Sequence, residues 1–492
     1  MIEDHVKVHD RFSLEFKIGF TAQKNQEEND FSMNMWIYVP NSLDINRHTY
    51  SKKEFYRDVK SNIRLITPIY LLRDISNPEE LPFRLLEESF SKVASNPTRT
   101  NLMEYENHIK MFQSILKSAL RNEMFHIQNC QSKEDRIYLL STYVKNCQAI
   151  TKLYRSLRQT INVPTIEKNQ FEYFLFGDEF MSNIIELHTF KILAGLNSNK
   201  LDSQDKNLCE KEKRELLELI NYETQYKQEK GYAVIDKNSE NKNKDVIFRY
   251  GALKKYIESL LFLKIRKKED GAFVKQIYYS IAAGISMIFA TIIAFAFQIK
   301  YGNFTTPLFI ALVVAYMLKD RIKELSRFYF SHKLNNKYFD NKVFMKVNDD
   351  EIIGVYKESQ DFVNEKKIPR EVVQLRNRSA ILEAENRIND EKIILYRIQM
   401  SLDHKIINKA NSYPISGINN IIRFNVSQFI KKMDNAEVPI YVTDDETDFK
   451  NISGEKVYYL NFILRYQYAN QLEYKRYRAM FNREGIKKIE QI

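Results

Sequence analysis

Ile277–Phe297 reads IYYSIAAGISMIFATIIAFAF, twenty-one residues without a charge. As a helix rising 1.5 Å per residue it covers about 30 Å, the thickness of a bilayer's hydrocarbon core. A second uncharged stretch, Tyr301–Leu318 (YGNFTTPLFIALVVAYML), follows after Gln298, Ile299 and Lys300 and is at the short end for a span. Gly302, Asn303 and Pro307 supply turn and helix-start residues between the two. The expectation is a two-helix transmembrane hairpin with spans 277–297 and 301–318. Tyr278, Tyr279, Tyr301 and Tyr316 fall near the span ends, where an aromatic belt would sit. A core hairpin of a soluble domain is the competing reading, and the dense charge on both flanks counts against it.

Those flanks also give an orientation. Lys264, Arg266, Lys267, Lys268 and Lys275 precede the first span, Lys319, Arg321, Lys323 and Arg327 follow the second, and the turn carries only Lys300. The positive-inside rule then places both long flanks, and with them both termini, in the cytoplasm. Anionic headgroups are the expected partners of Lys264–Lys268 and of Lys319–Arg327. A chain rich in Lys, Ile and Asn fits a bacterial inner membrane.

Within the spans the polar residues are Ser280, Ser286 and Thr291, with no ionisable group. That speaks against an ion pathway or proton relay, which need such groups at depth. Small residues recur at four-residue spacing, Ser280 with Gly284 and Ala311 with Ala315, and would let helices approach closely. The approach could join the two helices of one hairpin or join neighbouring chains, so a homo-oligomer or a protein partner is compatible with the pattern.

The whole chain has 492 residues, 75 Lys and Arg against 64 Asp and Glu, and a net charge of +11. Gly (12) and Pro (10) are scarce, which predicts a mostly helical chain and excludes collagen-like and Gly-rich architectures. The 44% apolar content excludes wholesale disorder. Cys130, Cys147 and Cys209 are too few and too scattered for a disulfide framework, so a reducing compartment is expected. The charged start, Met1-Ile2-Glu3-Asp4-His5, does not read as a secretory signal. Many of the basic residues flank the spans, so the positive balance gives little reason to expect nucleic acid.

Working outward, Phe12 to Phe20 and Phe31 to Val39 alternate apolar and polar residues and are expected to be an antiparallel strand pair joined by a long loop. Ser51 and Glu54 have the spacing of a capping box before a helix over 52–60. From Asn101 to Lys230 the period is helical: Ile109, Phe112, Leu116 and Leu120 form one stripe, and Leu140, Tyr143, Cys147, Ile150 and Tyr154 another. Met181, Ile184 and Ile185 mark a third helix, from Asp178 to Gly195, and Leu208, Leu216, Leu219 and Ile220 a fourth. Lys237–Lys244 reads as a polar linker. Arg370–Met400 reads as containing a long charged helix, and the tail returns to strands around Tyr458–Leu464 and Arg476–Phe481. The N-terminal strands are expected to pack with this C-terminal sheet.

The fold class is therefore α+β and mostly helical, with a cytoplasmic helical bundle and terminal antiparallel strands flanking the membrane hairpin. Its regions are an N-terminal α+β part (1–98), the bundle (99–236), the hairpin with amphipathic flanks (245–335) and a C-terminal α+β part (336–492).

Phosphate-cradling glycine motifs, the nucleophile elbow and the H-E-x-x-H zinc motif are missing, and neither a cofactor nor a metal is expected. His126 and Cys130 share a helix face but lack a second ligand pair. The acidic runs Asp444–Asp448 and Asp349–Glu351 lack calcium-loop spacing, and Asp403-His404-Lys405 reads as a charged helix end. Arg476 and Arg478 would share one strand face, with Arg465 on the preceding strand, and a row of guanidinium groups could bind an anion bidentately. A solvated strand face is the plainer explanation. The leading reading is a hairpin-anchored cytoplasmic binding or scaffold body. Alternatives are a membrane-tethered enzyme acting on a phosphate-bearing substrate, in which His188, Asp178 or the arginines would converge with carboxylates, and an oligomerising membrane-perturbing effector.

Overall fold

The structure, a computed structural model, describes residues 2–23, 28–197, 210–335, 338–347, 351–388, 390–409, 411–445, 448–469 and 471–492. The architecture is α+β with antiparallel sheets, and the chain divides into two compact units. One comprises Met1–Arg64, Leu263–Ser412 and Ser416–Ile492, and the other Leu65–Phe262 with Tyr413–Ile415. This division differs from four consecutive regions because the two ends of the chain share sheets.

The first unit is built on strands β1 (Ile2–Asp10), β2 (Ser13–Thr21), β3 (Glu28–Val39), β4 (Val59–Leu65), β5 (Lys264–Glu269), β6 (Asn341–Val347) and β7 (Glu351–Val363). It continues with β8 (Lys392–Asp403), β9 (Gly417–Asn425), β10 (Glu437–Asp445), β11 (Asp448–Glu455), β12 (Tyr458–Tyr468), β13 (Gln471–Asn482) and β14 (Gly485–Gln491). A four-stranded sheet has the order β1-β2-β9-β4, an eight-stranded sheet β14-β13-β12-β3-β8-β7-β6-β5, and β10 and β11 form a hairpin of their own. The expected meeting of N- and C-terminal strands is present: β3 pairs antiparallel with β12, Met35 opposite Leu464 and Tyr38 opposite Asn461.

The two N-terminal runs, however, do not pair with each other. β2 lies between β1 and β9, and β3 between β12 and β8. Each run carries a fully apolar face, and these faces meet across the two sheets instead of side by side. Phe20 packs edge-on against Phe31 at 5.3 Å, and Phe16 meets Phe462 at 5.2 Å. Leu14, Phe16, Ile18, Met33, Phe462 and Ile398 are buried between the layers, the usual core of a two-layer packing. The outer side of β3 is covered too: Trp36 and Tyr38 pack with Ile368 and Val372 of the segment that crosses over them.

The long helix expected in Arg370–Met400 is replaced by helices Arg370–Arg376 and Ala380–Ile388 and by β8. Asn377, left-handed at φ 43°, ends the first, and Ile394, Tyr396, Ile398 and Met400 alternate as a strand whose apolar side is buried. The capping box is formed: Ser51 accepts from Glu54 N, and the Glu54 carboxylate accepts from Ser51 N, opening helix Lys52–Asp58.

Between β5 and β6 the chain forms helix Ala272–Tyr301, turns at Gly302, and returns as helix Thr306–Asn335. The first is long and apolar enough to cross a membrane, and 11% of its most apolar window is buried. The second is not among the spans by that measure, which corrects the two-span hairpin. Of the uncharged stretch 301–318, Tyr301 ends the first helix and residues 302–305 make the turn. The returning helix thus has only thirteen uncharged residues before Lys319.

The second unit holds helices Leu81–Ser95, Arg99–Asn129, Lys133–Ile161, Lys168–Asn197, Glu210–Lys230 and Glu240–Glu258. The apolar stripes read from the sequence face its core. Tyr154 is stacked between Phe112 (5.9 Å) and Phe174 (5.1 Å), and Gly177 allows the approach, since a Cβ there would lie 2.1 Å from the Tyr154 hydroxyl. The helix expected from Asp178 starts at Lys168, ten residues earlier. Five of the eight residues of the expected linker are helix, because the Ser239 hydroxyl caps the segment beginning at Glu240. Leu208 and Cys209 lie outside the described residues.

Candidate functional site

The hairpin is rooted in the eight-stranded sheet. β5 leads directly into the first helix and β6 follows the second, and the two strands pair from Glu269 opposite Asn341 to Lys264 opposite Lys346. On the inner side, Glu358 of β7 fastens this root. Its carboxylate accepts from Lys267 Nζ (2.8 Å), Asn341 Nδ2 (3.0 Å) and the Tyr396 hydroxyl (2.7 Å). Gly271, at φ 69°, makes the corner into the helix, where a Cβ would fall 2.7 Å from the Tyr338 ring.

Along the hairpin, Ala282 and Ser286 of the first helix and Ala311 and Ala315 of the second are buried. Of the small-residue pairs expected from the sequence, Ala311 and Ala315 serve the hairpin's own packing. Ser280 and Gly284 are exposed, and a Cβ on Gly284 would meet nothing within 4 Å.

The three arginines singled out by spacing share the outer face of the eight-stranded sheet. Arg478 lies opposite Asn461, Arg476 opposite Ile463 and Arg465 opposite Tyr474. Each is engaged. Arg478 donates from Nε (3.0 Å) and Nη2 (2.5 Å) to Glu490. Arg476 is buried and donates from Nη2 to Asn461 at 3.1 Å, while its Nε has no partner. Burial, and then the Arg376 and Arg478 charges beside it, lower its pKa. Arg465 lies 5.7 Å from the Trp36 ring, and with the Asn34 amide turned to accept, its Nη2 is 2.6 Å from that oxygen.

Sequence reasoning missed Arg376 and Arg378, which reach this face from the covering segment. Arg376 pairs with Glu391 at 2.7 Å, and Arg378 with Glu365 at 2.8 Å and Glu391 at 2.9 Å. The local Arg376-Asn377-Arg378 run at a helix stop gives no sign of the sheet face it crosses. Beyond Arg465 the face opens into a cavity of about 470 Å³ with Asp30, Ser32, Gln399 and Gln467 in its wall. The guanidinium groups of this face are thus committed to protein carboxylates and amides, and the cavity wall itself offers carboxamide, hydroxyl and carboxylate groups.

Asp178 and His188 are not brought together. They stand ten residues apart on one helix, about 15 Å along its axis. Asp178 is spent on Arg155 Nε (3.1 Å) and on the Tyr226 (2.7 Å) and Tyr232 (3.1 Å) hydroxyls. His188 is buried with Nδ1 unpartnered, and burial together with Lys191, Lys117 and Arg121 lowers its pKa to about 4.

His126 is exposed, and the Cys130 thiol donates to the Ser132 carbonyl at 3.4 Å. Asp403 caps its own helix by accepting from Ile406 N. Asp349, Asp350, Glu446 and Thr447 lie outside the described residues. Among the described residues no group of three or more His, Cys, Asp or Glu side chains is placed to hold a metal ion. Comparison with protein-family models, with curated proteins and with solved structures gave no match.

Proposed function

We propose that the protein is a membrane-anchored binding or scaffold body. Helix Ala272–Tyr301 enters the bilayer, helix Thr306–Asn335 returns beside it, and both termini stay on the side of the cation-rich flanks, the cytoplasmic side of a bacterial inner membrane. Anionic headgroups meet Lys264–Lys268 and Lys319–Arg327.

The observation that carries this reading is the exposure of the apolar helix. Ile288 and Ile292 are each 62% exposed and Phe295 59%. A core helix of a soluble domain would be covered, and a contiguous apolar surface of this extent in water is an aggregation liability. In hydrocarbon the same surface is solvated. The polar tip of the hairpin, where Gln298 donates to Asn303 next to Lys300 and Gly302, suits the far headgroup layer.

The test is fractionation of the tagged full chain, carbonate extraction and protease protection of both termini, followed by sizing in detergent. Carbonate-resistant protein with both termini on the cytoplasmic side is the expected result. A protein released by carbonate, or termini on opposite sides, overturns it.

A further inference from the structure

The strand register shows a surface that linear charge counting did not. Lys264 lies opposite Lys346, Arg266 opposite Phe344 and Lys268 opposite Lys342, and Lys342 in turn opposite Lys357 of β7. Residues directly opposite share a face, so six basic side chains from three neighbouring strands project from one side. The alternate residues Val343 and Met345 point into the core.

The two sides are treated differently. Lys267, on the inner side, is paired with Glu358. Among the described residues Arg266, Lys268, Lys342 and Lys357 make no ion pair, and Lys342 instead rests 4.9 Å from the Phe344 ring. Lysines on an edge strand protect it from pairing with other chains. That role would be complete with β5 alone and does not extend to the second and third strands. The patch adjoins the hairpin: Glu269 and Asn341, the last pair of the register, are a few residues from the helix ends at Ala272 and Asn335, and the roughly 24 Å of helix between there and Lys319 must then lie along the leaflet surface for the face to reach its headgroups.

We propose that this outer β5–β6–β7 face lies on the headgroups of an anionic leaflet, so that the sheet rests against the membrane its hairpin enters. The inference rests on the anchoring reading for its geometry. Charge complementarity supplies the partner: a fixed array of basic residues within a Debye length of a negative lipid surface is attracted to it, and salt weakens the attraction.

The test uses the full chain reconstituted into neutral phosphatidylcholine vesicles and into vesicles containing phosphatidylglycerol. A membrane-impermeant amine reagent with mass-spectrometric readout reports on each lysine. Labelling of Lys268, Lys342 and Lys357 should fall at least severalfold in the anionic vesicles and recover in high salt, while Lys431 and Lys432 are unchanged. The triple variant Lys264→Glu, Arg266→Glu, Lys268→Glu should lose the protection at Lys342 and Lys357 yet remain carbonate-resistant. Equal labelling in both lipids by a carbonate-resistant protein overturns the inference and leaves the anchor standing. Protection by duplex nucleic acid in detergent, without protection by anionic lipid, overturns it in favour of a different polyanion. If the chain proves carbonate-extractable, the anchoring reading falls, and flotation with anionic against neutral vesicles decides the surface on its own: preferential flotation supports it and its absence overturns it.

Discussion

The Arg327 guanidinium lies 5.6 Å from the centroid of the Tyr279 ring, and this contact sets the level at which the two hairpin helices face each other. Tyr278 meets Phe330 one step away, and Ile293 and Phe297 share a groove with Val314 and Ile310 nearer the tip. Following both antiparallel helices from these contacts puts Lys319 level with about Ile288, near the middle of the uncharged stretch of its partner. The zone in which both helices are apolar is therefore about 20 Å long, some 10 Å less than a hydrocarbon core.

Under the anchoring proposal, a hairpin of that thickness should prefer thin bilayers. Reconstituted into vesicles of graded acyl-chain length, the full chain should show its highest carbonate-resistant fraction in the shortest chains. Replacing Lys319, Asp320 and Arg321 by Leu should move the optimum toward thicker bilayers. An optimum that stays put in this variant would refute the level assignment.

The two faces of the hairpin should respond differently to bulk. Ala315 is 2% exposed and packed against the first helix, so Ala315→Leu overfills the interface at a cost of about 1–3 kcal/mol. Gly284 faces away from the partner helix, so Gly284→Leu should leave the hairpin closed. A cysteine pair introduced at Ile293 and Val314 should crosslink efficiently in the parent and in Gly284→Leu and less in Ala315→Leu. If Gly284→Leu also lowers detergent-resolved self-association, the outward face joins copies; identical crosslinking in all three would count against the packing described.

The sequence was readable where one face of an element meets one environment. Tyr458–Leu464 and Tyr477–Phe481 alternate cleanly and are β12 and β13, and the stripes through Phe112 and Tyr154 are bundle core. It failed where charge hides a period: Lys392 and Arg397 interrupt β8, whose buried residues are every second one from Ile394. It failed again where counting ignores the backbone, since Tyr301–Thr305 are uncharged yet belong to the helix end and turn. The same holds for the arginine face. Two-residue spacing places Arg476 beside Arg478, but Arg376 and Arg378 arrive through a chain crossing that no local pattern encodes.

Acid should weaken the helical unit through His188. Its pKa in the folded chain is about 4 against an ordinary value of 6.5, because the buried ring stays neutral next to Lys191, Lys117 and Arg121. The unfolded chain then binds the extra proton first, and stability falls as the pH drops from about 6.5 to about 4, by roughly 3 kcal/mol over that window. His108, also lowered by burial, acts in the same direction. Chemical denaturation followed by far-UV circular dichroism should show His188→Gln losing less stability on acidification than the parent. Parallel pH profiles would rule this out.

Arg155 should be the most sensitive residue of the helical unit. Its guanidinium bonds Asp178 (3.1 Å), Ser182 (3.0 Å) and both oxygens of Glu223 (3.1 and 2.6 Å), and lies 3.5 Å from the Tyr226 ring centroid. Asp178 and Glu223 are fully buried. Arg155→Ala leaves both carboxylates without their counter-ion, which costs about 3–5 kcal/mol. Arg155→Lys keeps the charge but not the planar fork, and should cost less. Chemical denaturation of the two variants and the parent measures this. A deficit below about 1 kcal/mol for Arg155→Ala, or one no larger than that of Arg155→Lys, would mean that Arg155 is held there by packing rather than by its charge.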